Sequence, residues 1–91
     1  MELKDRLALA RGFSGLDQKE LAARAGLSGD HVAKIERWDR TRPEYRTVAH
    51  LARALGISAE WLGEGLGPAP DPAAVRAAVE AARTAAPQVA A

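Results

Sequence analysis

Three polar residues of different chemistry stand close together near the middle of the chain: Asp30, His31 and Lys34. A carboxylate accepts hydrogen bonds, an ammonium donates three, and an imidazole does either according to its tautomer. On a helix, Lys34 lies one turn beyond Asp30 and His31, so all three share one outward side. That set suits recognition of a ligand's polar edges better than bond-breaking chemistry. No serine or cysteine nucleophile is spaced to pair with His31, and His50 lies beside an expected buried face. No phosphate-binding loop or metal-ligand spacing occurs. The chain is therefore expected to have no catalytic residue, no metal and no cofactor.

The elements that must position these residues are legible in QKELAARAGLSGDHVAKI, residues 18 to 35. Asp17 is a good N-cap and Glu20 lies three residues on, which predicts a capping box at the start of a helix. Leu21, Ala22 and Ala25 recur at helical spacing, and their small size lets another helix come close. Gly26 takes the left-handed conformation that ends a helix. Ser28 is expected to cap the next helix, about Gly29 to Arg37, with Val32 and Ile35 turned to the core. Two short helices joined by a tight turn make the pattern of a DNA-binding helix-turn-helix, whose second helix enters a major groove.

The rest of the chain predicts an all-α fold of five helices and a tail. Helix 1 is expected from about Glu2 to Arg11, ended by Gly12 and Gly15. Helix 4 begins at Pro43, with Tyr45, Val48, Leu51, Ala52 and Leu55 on its buried face and Gly56 closing it. Ser58 caps a short helix 5 carrying Trp61 and Leu62. One core is expected to hold Leu7, Leu21, Val32, Ile35, Leu51, Leu55 and Trp61. The DNA-binding domain thus spans 1–65, followed by a Pro/Gly hinge over 66–72. An Ala-rich helical tail over 73–91 is capped by Asp71, with Pro72 at its first position. Its Val75, Ala78, Val79, Ala82 and Ala86 share a face, which could dock on the domain, pair with another chain, or lead into a further segment.

Composition sets the broad class. Ninety-one residues make one small domain and a tail. With no cysteine there is no disulfide framework and no thiolate metal site. Apolar runs are too short to span a membrane, and charges near the N-terminus interrupt any signal-peptide pattern. A cytoplasmic protein is expected. A net charge of +1 is a weak electrostatic footprint for nucleic acid. Between Lys34 and Arg46 the local balance rises to +2, through Lys34, Arg37, Arg40, Arg42 and Arg46 against Glu36, Asp39 and Glu44.

Residues 15 to 36, GLDQKELAARAGLSGDHVAKIE, resemble the helix-turn-helix of the lambdoid phage repressor and Cro family, also called XRE. LARALGISAEWL, residues 51 to 62, resembles that family's fourth-to-fifth helix junction. The resemblance runs over roughly residues 2 to 65 and implies a repressor bound as a homodimer to palindromic double-stranded DNA. It also implies base reading by Gly29, Asp30, His31 and Lys34, and phosphate contacts from Arg11, Gln18, Arg37, Arg40 and Arg42. Arg11 and Glu36 match a salt bridge that ties helix 1 to the end of helix 3. Two departures stand out. Gly29 has no side chain where the family often carries an amide. Trp38 replaces the usual glycine in a loop one residue longer than the common form, and is expected to pack against Pro43 or Tyr45. The alternative function is an antitoxin or adaptor on the same fold, its C-terminal tail binding a partner protein.

Overall fold

A computed structural model describes residues 1–37 and 43–90, with side chains described as far as residue 84. Six helices follow one another: α1 Leu3–Ser14, α2 Gln18–Arg24, α3 His31–Arg37, α4 Tyr45–Leu55, α5 Ala59–Glu64 and α6 Pro72–Ala90. No strand occurs among the described residues, so the fold is all-α. The segment from Trp38 to Arg42 lies outside the described residues, and with it the expectation for Trp38.

Local signals account for most helix ends. Asp17 and Glu20 close a capping box: the Glu20 amide donates to Asp17 Oδ1 at 2.7 Å, and the Asp17 amide donates to Glu20 Oε1 at 3.1 Å. Gly26 ends the α2 region at φ 74°, a conformation strained for any residue with a side chain. The reversal lets the Leu27 amide donate back to the Ala22 carbonyl at 2.8 Å. Ser58 Oγ accepts from the Trp61 amide at 3.2 Å, and Asp71 Oδ2 accepts from the Ala74 amide at 2.9 Å.

Four boundary or burial expectations are corrected. Helix α1 continues through Gly12 to Ser14. A glycine inside a helix costs only about 1 kcal/mol, and the Ser14 hydroxyl closes the last turn by donating to the Arg11 carbonyl at 2.6 Å. Helix α3 starts at His31, leaving Gly29 and Asp30 in the turn before it. Ser28 supports that turn through its carbonyl, which accepts from the His31 amide at 3.0 Å, while its hydroxyl donates to Asp30. Glu44, not Pro43, is the residue before α4. Tyr45, at the first position of α4, is 78% exposed and not part of its buried face.

All seven expected core residues are buried in one cluster, joined by Leu16, Val48 and Leu62. Leu62 is wholly buried, so it is no candidate for a contact between subunits. Helix α6 packs mainly on α1 and also on α4. Its Val75 and Val79 are buried, whereas Ala82 is exposed, which corrects the broader apolar face expected there. Ala86 lies outside the described side chains. A Cβ built at Gly56 would stand 3.0 Å from Ala78 Cβ, so glycine at the end of α4 permits this approach as well as the φ of 68°. Arg83 reaches Glu20 across the α6–α2 gap at 3.9 Å.

Candidate nucleic-acid interface

Two clusters of side chains hold most of the described candidate residues. The first joins three helices below it. Arg11 on α1 makes a two-pronged pair with Glu36 on α3: Nε to Oε2 at 2.7 Å and Nη2 to Oε1 at 3.0 Å. Gln18 at the start of α2 donates its amide to the same Oε1 at 2.9 Å. Arg11 Nη1 also donates to the Leu16 carbonyl at 3.2 Å. The arginine side chain is 24% exposed and the glutamate 10%, so water competes weakly for these bonds. Hydrogen bonding to Glu36 raises the Arg11 pKa above its ordinary value despite partial burial. The expected salt bridge is present. Three of the five guanidinium N–H groups and one of the two Gln18 amide hydrogens are thereby engaged, which leaves each side chain donors to spare.

The second cluster lies on the outward side of the turn and α3. Val32 and Ile35 face the core, and Asp30 and Lys34 face solvent with both side chains 65% exposed. Lys34 Nζ stands 3.2 Å from Asp30 Oδ2, one helical turn apart. Ser28 Oγ donates to Asp30 Oδ1, also at 3.2 Å. The Lys34 ammonium first, and the Ser28 hydroxyl second, hold the Asp30 carboxyl below the usual carboxylate range. Asp30 is therefore ionised at neutral pH.

The remaining expected site residues are distributed unevenly. His31 is half-buried at the first position of α3. Gly29 is exposed, and a Cβ built there would meet nothing within 4 Å. Arg37 is exposed at the end of α3. Arg40 and Arg42 lie outside the described residues. The structure thus brings together Asp30 with Lys34, and Arg11 with Gln18 and Glu36.

Sequence reasoning missed Arg6. This buried arginine donates from Nε to the Leu62 carbonyl at 2.8 Å, from Nη2 to the Gly63 carbonyl at 3.1 Å, and from Nη1 to the Met1 carbonyl. It ties the N-terminus to the last turn of α5, where a positive charge meets the negative end of the helix. The available signal was its place on the same helical face as Leu3 and Ala10, three and four residues away.

With α2, α3 and their turn in place, residues 2–64 match the model of a helix-turn-helix domain. The chain belongs to the helix-turn-helix domain family. This agrees with the resemblance to phage repressors in residues 15–36 and 51–62. No solved structure matches the chain. Membership in the helix-turn-helix family points to a DNA-binding regulator. Among the described residues of this helix-turn-helix domain, no helix is long and apolar enough to cross a membrane. None of their histidines, aspartates or glutamates cluster in threes as a metal ion would require.

Proposed function

We propose that the protein is a sequence-specific transcriptional repressor of the cytoplasm, binding a palindromic operator as a homodimer. One observation carries the reading: the Arg11–Glu36–Gln18 cluster ties α1, α2 and α3 together, and the Asp30–Lys34 pair stands exposed on the turn and α3. A rigid frame with polar groups held at its leading edge is what direct readout of base edges requires. In this reading Asp30, His31 and Lys34 face the major groove beside Gly29. Arg11, Gln18, Arg37, Arg40 and Arg42 border the phosphates. In this reading exposed Leu66, just beyond α5, and the outer face of α6 are the candidate contacts for a second copy.

The test is salt-dependent binding of the full chain to the DNA upstream of its own gene, against a scrambled duplex. Tight binding to an inverted repeat, with two chains per site, is the expected result. Arg37→Ala should weaken binding to both duplexes and flatten the salt slope by about 0.9 for each phosphate it leaves without a cation. Equal, weak binding to both duplexes would sink the repressor reading.

A second reading, an antitoxin or adaptor, draws support from the net charge of +1 and from the carboxylate at the leading edge. It predicts a small protein that co-purifies with this chain and dissociates when α6 is removed.

A further inference from the structure

The Asp30–Lys34 pair poses an electrostatic problem for any surface that meets nucleic acid. Asp30 is fully ionised, two-thirds exposed, and flanked by a glycine that shields it with no side chain. Phosphates repel it. Lys34 and Ser28 already donate to it, and against DNA its remaining lone pairs are satisfied only by a donor on a base. In the major groove the only base donors are cytosine N4 and adenine N6.

We propose that Asp30 and Lys34 read one C·G base pair as an intact ion pair, the carboxylate accepting from cytosine N4 and the ammonium donating to guanine O6 and N7. The inference rests on the DNA-binding reading above and goes further, in making the pair a single reader of fixed polarity. The geometric warrant is a match of spacings. Cytosine N4 and guanine O6 are hydrogen-bonded to each other across the base pair, so they stand about 2.9 Å apart. The Lys34 ammonium and Asp30 carboxylate stand 3.2 Å apart. Laid alongside the base pair, acid meets donor and base meets acceptor without the ion pair having to break. Capacity suffices as well. One ammonium N–H is held by Asp30, which leaves two for O6 and N7. The carboxylate accepts from Lys34 and Ser28 and retains lone pairs for N4.

The same arrangement rejects the other base pairs. An A·T pair also places a donor beside an acceptor, but adenine N7 then repels the carboxylate and the thymine methyl faces the ammonium. A reversed G·C pair sets like against like, because the order Asp30 then Lys34 is fixed from the turn into α3. A T·A pair fails on the same polarity.

The experiment selects binding sites for the full chain from a random-sequence duplex pool, then measures affinity for the selected duplex with each base pair changed in turn. Wild type should show one position per half-site where replacing C·G by A·T or G·C weakens binding about 10- to 100-fold. Asp30→Asn should shrink that discrimination to about threefold or less and tighten binding to a scrambled duplex. Lys34→Met should also lose the preference but weaken all binding. The decisive variant exchanges the charges, Asp30→Lys with Lys34→Asp, and its selected site should carry G·C where wild type carries C·G. Both side chains are exposed, and circular dichroism of each variant checks that its helices are kept. A selected site whose preferences are the same in wild type and the exchanged variant would overturn the inference while leaving sequence-specific binding intact. A wild-type chain that enriches no sequence would overturn both.

Discussion

Removing Glu36 should loosen the frame under the interface, and the size of the effect can be worked from its hydrogen bonds. Glu36→Ala deletes two bonds from Arg11, at 2.7 and 3.0 Å, and one from Gln18, at 2.9 Å. A hydrogen bond to a charged group contributes about 1.5–3 kcal/mol, but bonds sharing one carboxylate do not add. The pair lies between two limits: exposed ion pairs contribute about 0–1 kcal/mol, and breaking a buried pair costs about 3–5. With Arg11 one-quarter exposed and Glu36 one-tenth, the released guanidinium regains part of its hydration. A loss of about 2–3 kcal/mol follows, or about 8–24 °C in Tm for a domain of this size. Urea unfolding, followed by circular dichroism of the helices, measures it. A double-mutant cycle with Arg11→Ala isolates the pair and should give a coupling of about 1–2 kcal/mol. Because the pair is half-buried, most of that coupling should survive in high salt. A coupling below about 0.3 kcal/mol, within the error of additivity, would mean that the two side chains do not depend on each other and would refute the reasoning.

Three other outcomes are expected. Val79→Ala removes two methyl groups from a fully buried site and should cost about 1.5–3 kcal/mol in thermal unfolding; unchanged stability would mean that α6 does not dock. Arg6→Met should destabilise by about 1–3 kcal/mol, since buried carbonyls of α5 are left without their donor, and unchanged stability would remove its structural role. The Asp30 carboxyl should titrate in an NMR experiment below the ordinary carboxylate range and return towards it in Lys34→Met. A folded pKa below the unfolded one stabilises the fold above the unfolded pKa, and this contribution is lost as pH falls through the folded value. An Asp30 titration unmoved by Lys34→Met would show the ion pair to be absent in solution.

Much of the fold was legible because it is decided by neighbours in the chain. The capping box of Asp17 and Glu20, the caps at Ser58 and Asp71, and the reversal at Gly26 each act within about five residues, and sequence order alone sets them. The seven core positions followed from helical periodicity in the same way. The outward placement of Asp30 and Lys34 one turn apart was legible in the same way, whereas their ion pair is a finding of the structure. The Arg11–Glu36 bridge, 25 residues apart, was reachable only through resemblance to a family, since no local rule connects the two.

What tertiary structure alone decided lies at longer range. Gln18 meets Glu36 across 18 residues, and Arg6 meets Leu62 across 56. Burial of Leu62 and exposure of Tyr45 depended on how the helices pack, which periodicity does not contain. The fate of the last helix was open for the same reason. Its alanine-rich face has too little apolar bulk to specify a partner, and the choice fell to the surface of α1 and α4, where Val75 and Val79 are buried and Gly56 leaves room for Ala78.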